Sequence, residues 1–213
     1  MRGRDEIDAE LRAELERAYY DEDFELQWRL QKFADAISPE EQAAFHDVVI
    51  RRMTEEPSIV NVMLCGVVGL PQVVSVLSAT LRAQPRSSTL TRSLIRVLGQ
   101  YGDPSAYVEV AGFLDSDLEG EALSTLSKMD FRRTLFFMYR DSNQPHLLDD
   151  CLHIWQERRK KVGLEGLVDD LRVYRDSAKK ELRKRTEDIL ESKQGTYNPF
   201  SEAERIQLLA VMD

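Results

Sequence analysis

With 42% hydrophobic and 31% charged residues over 213 positions, the chain has the composition of a folded, helix-rich protein rather than a disordered one. A net charge of -9 and a pI near 5.0 argue against wholesale nucleic-acid binding, which needs clustered lysine and arginine. The two cysteines offer no zinc spacing, and MRGRDEIDAELRAELE at the N-terminus has no apolar leader, so buried thiols in a reducing cytoplasm are expected.

Asp5 to Tyr20 spaces Ile7, Leu11, Leu15, Ala18 and Tyr19 along one side of a helix. Asp21-Glu22-Asp23 then opens a second helix, whose inward face is Leu26, Leu30, Phe33, Ala34 and Ile37, flanked by Phe24 and Trp28. Ser38-Pro39-Glu40-Glu41 reads as a start signal: an N-cap serine, an N1 proline and a glutamate placed for a capping box. The third helix would run from there to about Met53, burying Phe45, Val48, Val49 and Met53.

Ser58 to Leu81 carries no charge and is long enough for a membrane span. Gly66, Gly69 and Pro71 interrupt it, however, which favours two short buried helices, roughly Ile59–Val68 and Pro71–Leu81, joined by a turn. Ser87 or Ser88 should cap the next helix, with Leu90, Leu94, Val97, Leu98 and Tyr101 as its stripe. Gly102-Asp103-Pro104 supplies a C′ glycine, an N-cap carboxylate and an N1 proline, so one helix ends and another begins almost without a loop. Tyr107, Val110, Ala111 and Leu114 form the following stripe, and Leu118, Ala122, Leu123 and Leu126 the one after. Gly69-Leu70-Pro71 and Gly102-Asp103-Pro104 stand 33 residues apart, a period typical of helical repeats.

VLGQYGDPSAYVEVAGFLDSDLEGEALSTL resembles a HEAT repeat of the short type named after phycobilisome lyases. The resemblance rests on Leu98, Gly99, Gly102, Asp103, Pro104, Ala106, Leu114, Asp115, Asp117, Ala122 and Leu126, and covers about 30 residues. Leu118-Glu119-Gly120 departs from it, where that family usually has Val-Arg. The resemblance implies an all-α fold, a right-handed α-solenoid of antiparallel helix pairs, here with about 11–13 helices. On this reading residues 1–213 form a single repeat domain, with acidic helices at 1–57, central repeats at 58–142 and a C-terminal part at 143–213. HEAT-like arrays serve as scaffolds, inhibitors, lyases and hydroxylases, so the resemblance speaks to fold far more than to function.

Beyond Asp130 comes the richest aromatic cluster, in which Phe131, Leu135 and Met138 should face the core. A helix from His146 to about Lys161 should bury Leu148, Cys151, Leu152 and Trp155 and end before Gly163. Leu164 to Ser192 reads as one long helix, or two with a kink near Arg175. Ser201 and Glu204 offer a further capping box for a final helix packing Ile206, Leu209 and Ala210. Residues 1–57 hold sixteen acidic and eight basic side chains, whereas 158–185 hold eleven basic and five acidic.

These features point to a non-catalytic protein-binding module, a scaffold or adaptor, with another protein as partner and no cofactor. Tyr107 and Glu109 lie where the second helix of a pair would line a curved surface; Arg132, Arg133, Phe137 and Tyr139 combine arginine and aromatic groups as an interface anchor does. Arg158, Arg159, Lys160, Lys161, Lys179, Lys180 and Arg183 form a basic patch. Two alternatives follow from charge: an immunity protein whose acidic helices neutralise a basic partner, and nucleic-acid contact through the patch. Head-to-tail self-association of the acidic and basic regions is a further option. His146, Asp149 or Asp150, and His153 fall near one helical face at metal-like spacing, but ordinary polar roles account for them, and no metal is assigned.

Overall fold

The computed structural model describes residues 2–18, 23–85, 88–138, 145–177, 180–191 and 198–212, apart from the side chains at 17–18, 23–24, 136–138 and 145–148. Among the described residues there are twelve α-helices, one 3-10 turn and no strand. The chain divides into two compact units, Met1–Leu118 and Glu119–Asp213.

The first unit contains α1 (Arg4–Ala18), α2 (Asp23–Asp35), α3 (Gln42–Glu55), α4 (Ile59–Val68), α5 (Val73–Ala83), α6 (Thr89–Tyr101), the 3-10 turn Pro104–Ala106 and α7 (Tyr107–Ala111). Helices here touch near neighbours in the chain: α1 packs on α2 and α3, α3 on α4 and α5, α5 on α6 and α7. α4 is held among α2, α3 and α6, which explains why its sequence has no polar face. Val62, Leu64 and Cys65 are fully buried there. A leucine-sized side chain taken out of water contributes about 2 kcal/mol. Gly66 lets α4 and α6 approach closely, since a Cβ there would lie 2.7 Å from Gln100 Oε1 and 3.3 Å from Val97 Cγ2. Asn61 ties α4 to the end of α3, its side-chain amide donating to the Glu56 carbonyl at 2.7 Å. No described helix is long and apolar enough to cross a membrane, and the uncharged stretch folds as α4 and α5.

The two glycine stops share one geometry. Gly69 and Gly102 both adopt the left-handed conformation at φ 63, and each N–H bonds back four residues, to Cys65 and Leu98 respectively. Each helix also starts on a serine: Ser58 Oγ accepts from the Asn61 N–H, and Ser88 Oγ from the Thr91 N–H. Asp103 Oδ1 accepts from the Ser105 N–H at 2.8 Å, the cap expected for the next turn.

Two boundaries differ from expectation. α3 begins at Gln42, with Pro39–Glu41 in a turn in which the Glu41 N–H donates to the Ser38 carbonyl at 2.9 Å, while the Glu41 carboxylate is taken mainly by Arg2. Glu41 still accepts from the Ser38 N–H at 3.2 Å, so half of the capping box survives. α7 has only 5 residues, closed by turns through Gly112 and Phe113, although Tyr107, Val110 and Leu114 are buried as the stripe requires. Trp28 is 56% exposed, with Lys32 Nζ 5.2 Å from its ring centroid.

The second unit contains α8 (Glu119–Met129), α9 (Phe131–Met138), α10 (Pro145–Ser177), α11 (Lys180–Glu191) and α12 (Glu202–Met212). α8, α9 and α10 pack on one another, and α10, α11 and α12 do likewise. α10 is broken at Gly163, whose φ of 76 and ψ of 174 are non-helical, so the stop expected before that glycine is present as a sharp bend. α10 ends at Ser177 and α11 begins at Lys180; residues 178–179, next to the kink expected near Arg175, lie outside the described residues. Ser201 and Glu204 form the capping box, Ser201 N–H donating to Glu204 Oε2 at 2.8 Å and Glu204 N–H to Ser201 Oγ at 3.4 Å.

Candidate functional site

Within the second unit, α8, the start of α9 and the first half of α10 enclose a cleft of about 500 Å³. Helical spacing builds its walls. Ser124, Ser127 and Lys128 share one face of α8, while His153, Glu157, Lys160 and Lys161 share one face of α10, opposite the buried Cys151, Leu152 and Trp155. Phe131 and Ile154, both buried, form an apolar floor. The lining residues thus include Lys128, Arg158, Lys160 and Lys161 against a single carboxylate, Glu157.

Glu157 Oε1 is 2.5 Å from Lys160 Nζ. That hydrogen bond, with the charges of Lys160, His153 and Lys128 nearby, holds the Glu157 carboxyl below the ordinary carboxylate range. Arg158 is fixed differently. Its guanidinium carbon lies 5.1 Å from the Phe131 ring centroid, and its Nε donates to Asp170 Oδ2 at 2.8 Å. Asp170 Oδ1 accepts from Arg132 Nε, also at 2.8 Å, so one carboxylate that is 1% exposed joins α9 to both halves of α10. The bend at Gly163 makes this possible. Twelve residues of unbroken helix would put Asp170 about 18 Å along the axis from Arg158.

The residues singled out from sequence are distributed as follows. Tyr107 is in the core of the first unit, 1% exposed, because it begins α7 on the inward stripe; it offers no binding surface. Glu109 is half-buried, 3.7 Å from Arg82. Arg132 and Arg133 are exposed beside the buried Phe131 and Leu135. The side chain of Phe137 and the whole of Tyr139 lie outside the described residues, as do Lys179 and the His146 side chain.

Much of the basic run is engaged internally: Arg158 with Asp170, Arg159 with Glu204, Lys160 with Glu157, Arg172 with Asp169 and Arg175 with Asp176. Lys161 and Lys180 are exposed, and Arg183 is half-buried. Among the described residues no group of three or more His, Cys, Asp or Glu side chains is placed to hold a metal. His153 faces the cleft instead.

No family model, curated protein or solved structure matches the chain.

Lys128, Ser124, Ser127 and Asp170 were not evident as site residues in the sequence. Their signal was present in the polar strip at i, i+3 and i+4 of α8, and in an aspartate following a glycine break.

Proposed function

We propose that this chain is a non-catalytic protein-interaction module, a scaffold or adaptor, which engages another protein at the cleft of its second unit. The observation that carries this reading is the contrast in charge: an acidic chain with a net charge of -9 gathers Lys128, Arg158, Lys160 and Lys161 around an apolar floor. An arginine over an aromatic ring beside exposed lysines is the make-up of a binding surface. The reading includes HEAT-like helix pairs in the first unit. Support comes from the recurrence of the serine cap and left-handed glycine stop, and from packing between helices close in the chain. Two buried thiols suit a reducing cytoplasm.

The test is affinity capture from the source cells with the wild-type chain and with the double variant Lys128→Glu, Lys161→Glu, each read by mass spectrometry. A specific protein recovered by the first and lost by the second is expected. Identical recoveries from both would remove the cleft as the interaction site.

A further inference from the structure

Building on the interaction reading above, we infer that the cleft takes an acidic peptide segment bearing a large apolar side chain, and that Glu157 holds the place of that segment's carboxylate in the free protein. The cleft's size suits one large side chain with its flanking groups, since about 500 Å³ is within the range of sites that bury a small ligand. Phe131 and Ile154 supply the apolar contact, and the cations stand at the rim. An apolar residue between carboxylates matches that pattern.

The kind of cation narrows the ligand further. Arg158, the guanidinium within the cleft, has its Nε committed to Asp170 and its face on Phe131. What remains on the rim is Lys128, Lys160 and Lys161, point charges on flexible stems that follow carboxylates at variable positions. A nucleic acid would need a continuous track of cations beyond the cleft, and Arg159, Arg172 and Arg175 are paired with Glu204, Asp169 and Asp176. The acidic peptide is therefore the better fit.

Glu157 marks where the peptide's carboxylate goes. Its Oε1 is bonded by Lys160 Nζ at 2.5 Å, and Lys128 and Lys161 line the same cleft, so a carboxylate already occupies the place among these lysines. An incoming carboxylate replaces Glu157 at Lys160, and Glu157 turns to solvent, competing with the ligand until then. Removing its charge should tighten binding.

The experiment is fluorescence anisotropy with a short labelled peptide holding one phenylalanine between runs of glutamate. Wild type should bind, with affinity falling as salt rises. Lys128→Glu with Lys161→Glu should weaken binding about tenfold, and Glu157→Gln should tighten it about threefold. Lys184→Glu, an exposed charge reversal outside the cleft, should leave it unchanged. Replacing the peptide's phenylalanine by alanine should weaken binding about fivefold.

Equal affinity for wild type and the double reversal, or no gain from Glu157→Gln, would overturn the inference. So would tighter binding of a single-stranded DNA of equal charge, or self-association of the chain lost in the double reversal. A captured partner that depends on the cleft but is not displaced by the peptide would leave the module standing and remove the acidic ligand. Peptide binding without any captured partner would do the reverse.

Discussion

Asp170→Asn tests the joint between α9 and the two halves of α10. The carboxylate is almost fully buried and accepts two guanidinium hydrogen bonds at 2.8 Å. A hydrogen bond to a charged group contributes about 1.5–3 kcal/mol. The Arg132 side chain is 56% exposed and rehydrates when released, so its share is about 1 kcal/mol; that of Arg158, 25% exposed, lies nearer 2 kcal/mol. Asparagine keeps one acceptor but turns an N–H toward a guanidinium N–H, so the total loss should be about 3 kcal/mol. Trp155 is fully buried in this unit and Trp28 lies in the other, so a Trp28→Phe background isolates the relevant fluorescence. Urea unfolding followed by Trp155 should show the reduced midpoint, and the penalty should shrink by about 1 kcal/mol when Arg132 is already alanine. A shift worth less than about 1 kcal/mol, or an unchanged penalty without Arg132, would refute the bridge as a stabilising element.

Gly163→Ala should destabilise the second unit by about 1–3 kcal/mol, because φ 76 with ψ 174 is a region essentially reserved for glycine; the same fluorescence measurement checks it. Burial pushes the thiols of Cys65 and Cys151 up to about 12, so neither should react with a thiol reagent at pH 8 until denaturant is added, and rapid labelling of the folded chain would contradict this. Tyr101→Phe removes the hydroxyl that donates to the Cys65 carbonyl at 2.5 Å and should cost about 1 kcal/mol, measured by thermal unfolding. Hydrogen bonds from Arg2 hold the Glu41 carboxyl well below its usual 4.5. Its folded value is therefore the lower one, so the stabilisation is complete above that ordinary value and fades as pH falls. Glu41→Gln should flatten the loss of stability below about pH 4.5, followed by circular dichroism.

Local chemistry made most of the helices legible. Ser88, Gly102, Asp103 and the Ser201–Glu204 pair act through neighbours within a few residues, and each does what its type and spacing imply. The main partner of Glu41 was hidden, because it is Arg2, 39 residues away, and no local rule contains that contact. Tyr107 illustrates the same limit from another side: an aromatic next to a turn reads equally as anchor or core, and packing decides. The cleft was least visible of all. In the sequence Arg158 is one member of a basic patch, yet its setting depends on Asp170, which arrives only after the chain bends at Gly163.

The paired stops at Gly69 and Gly102 each turn the backbone left-handed and meet a proline two positions later, so the chain changes direction twice without a long loop. Any side chain placed at either stop would strain the same left-handed backbone, so the two positions share one vulnerability.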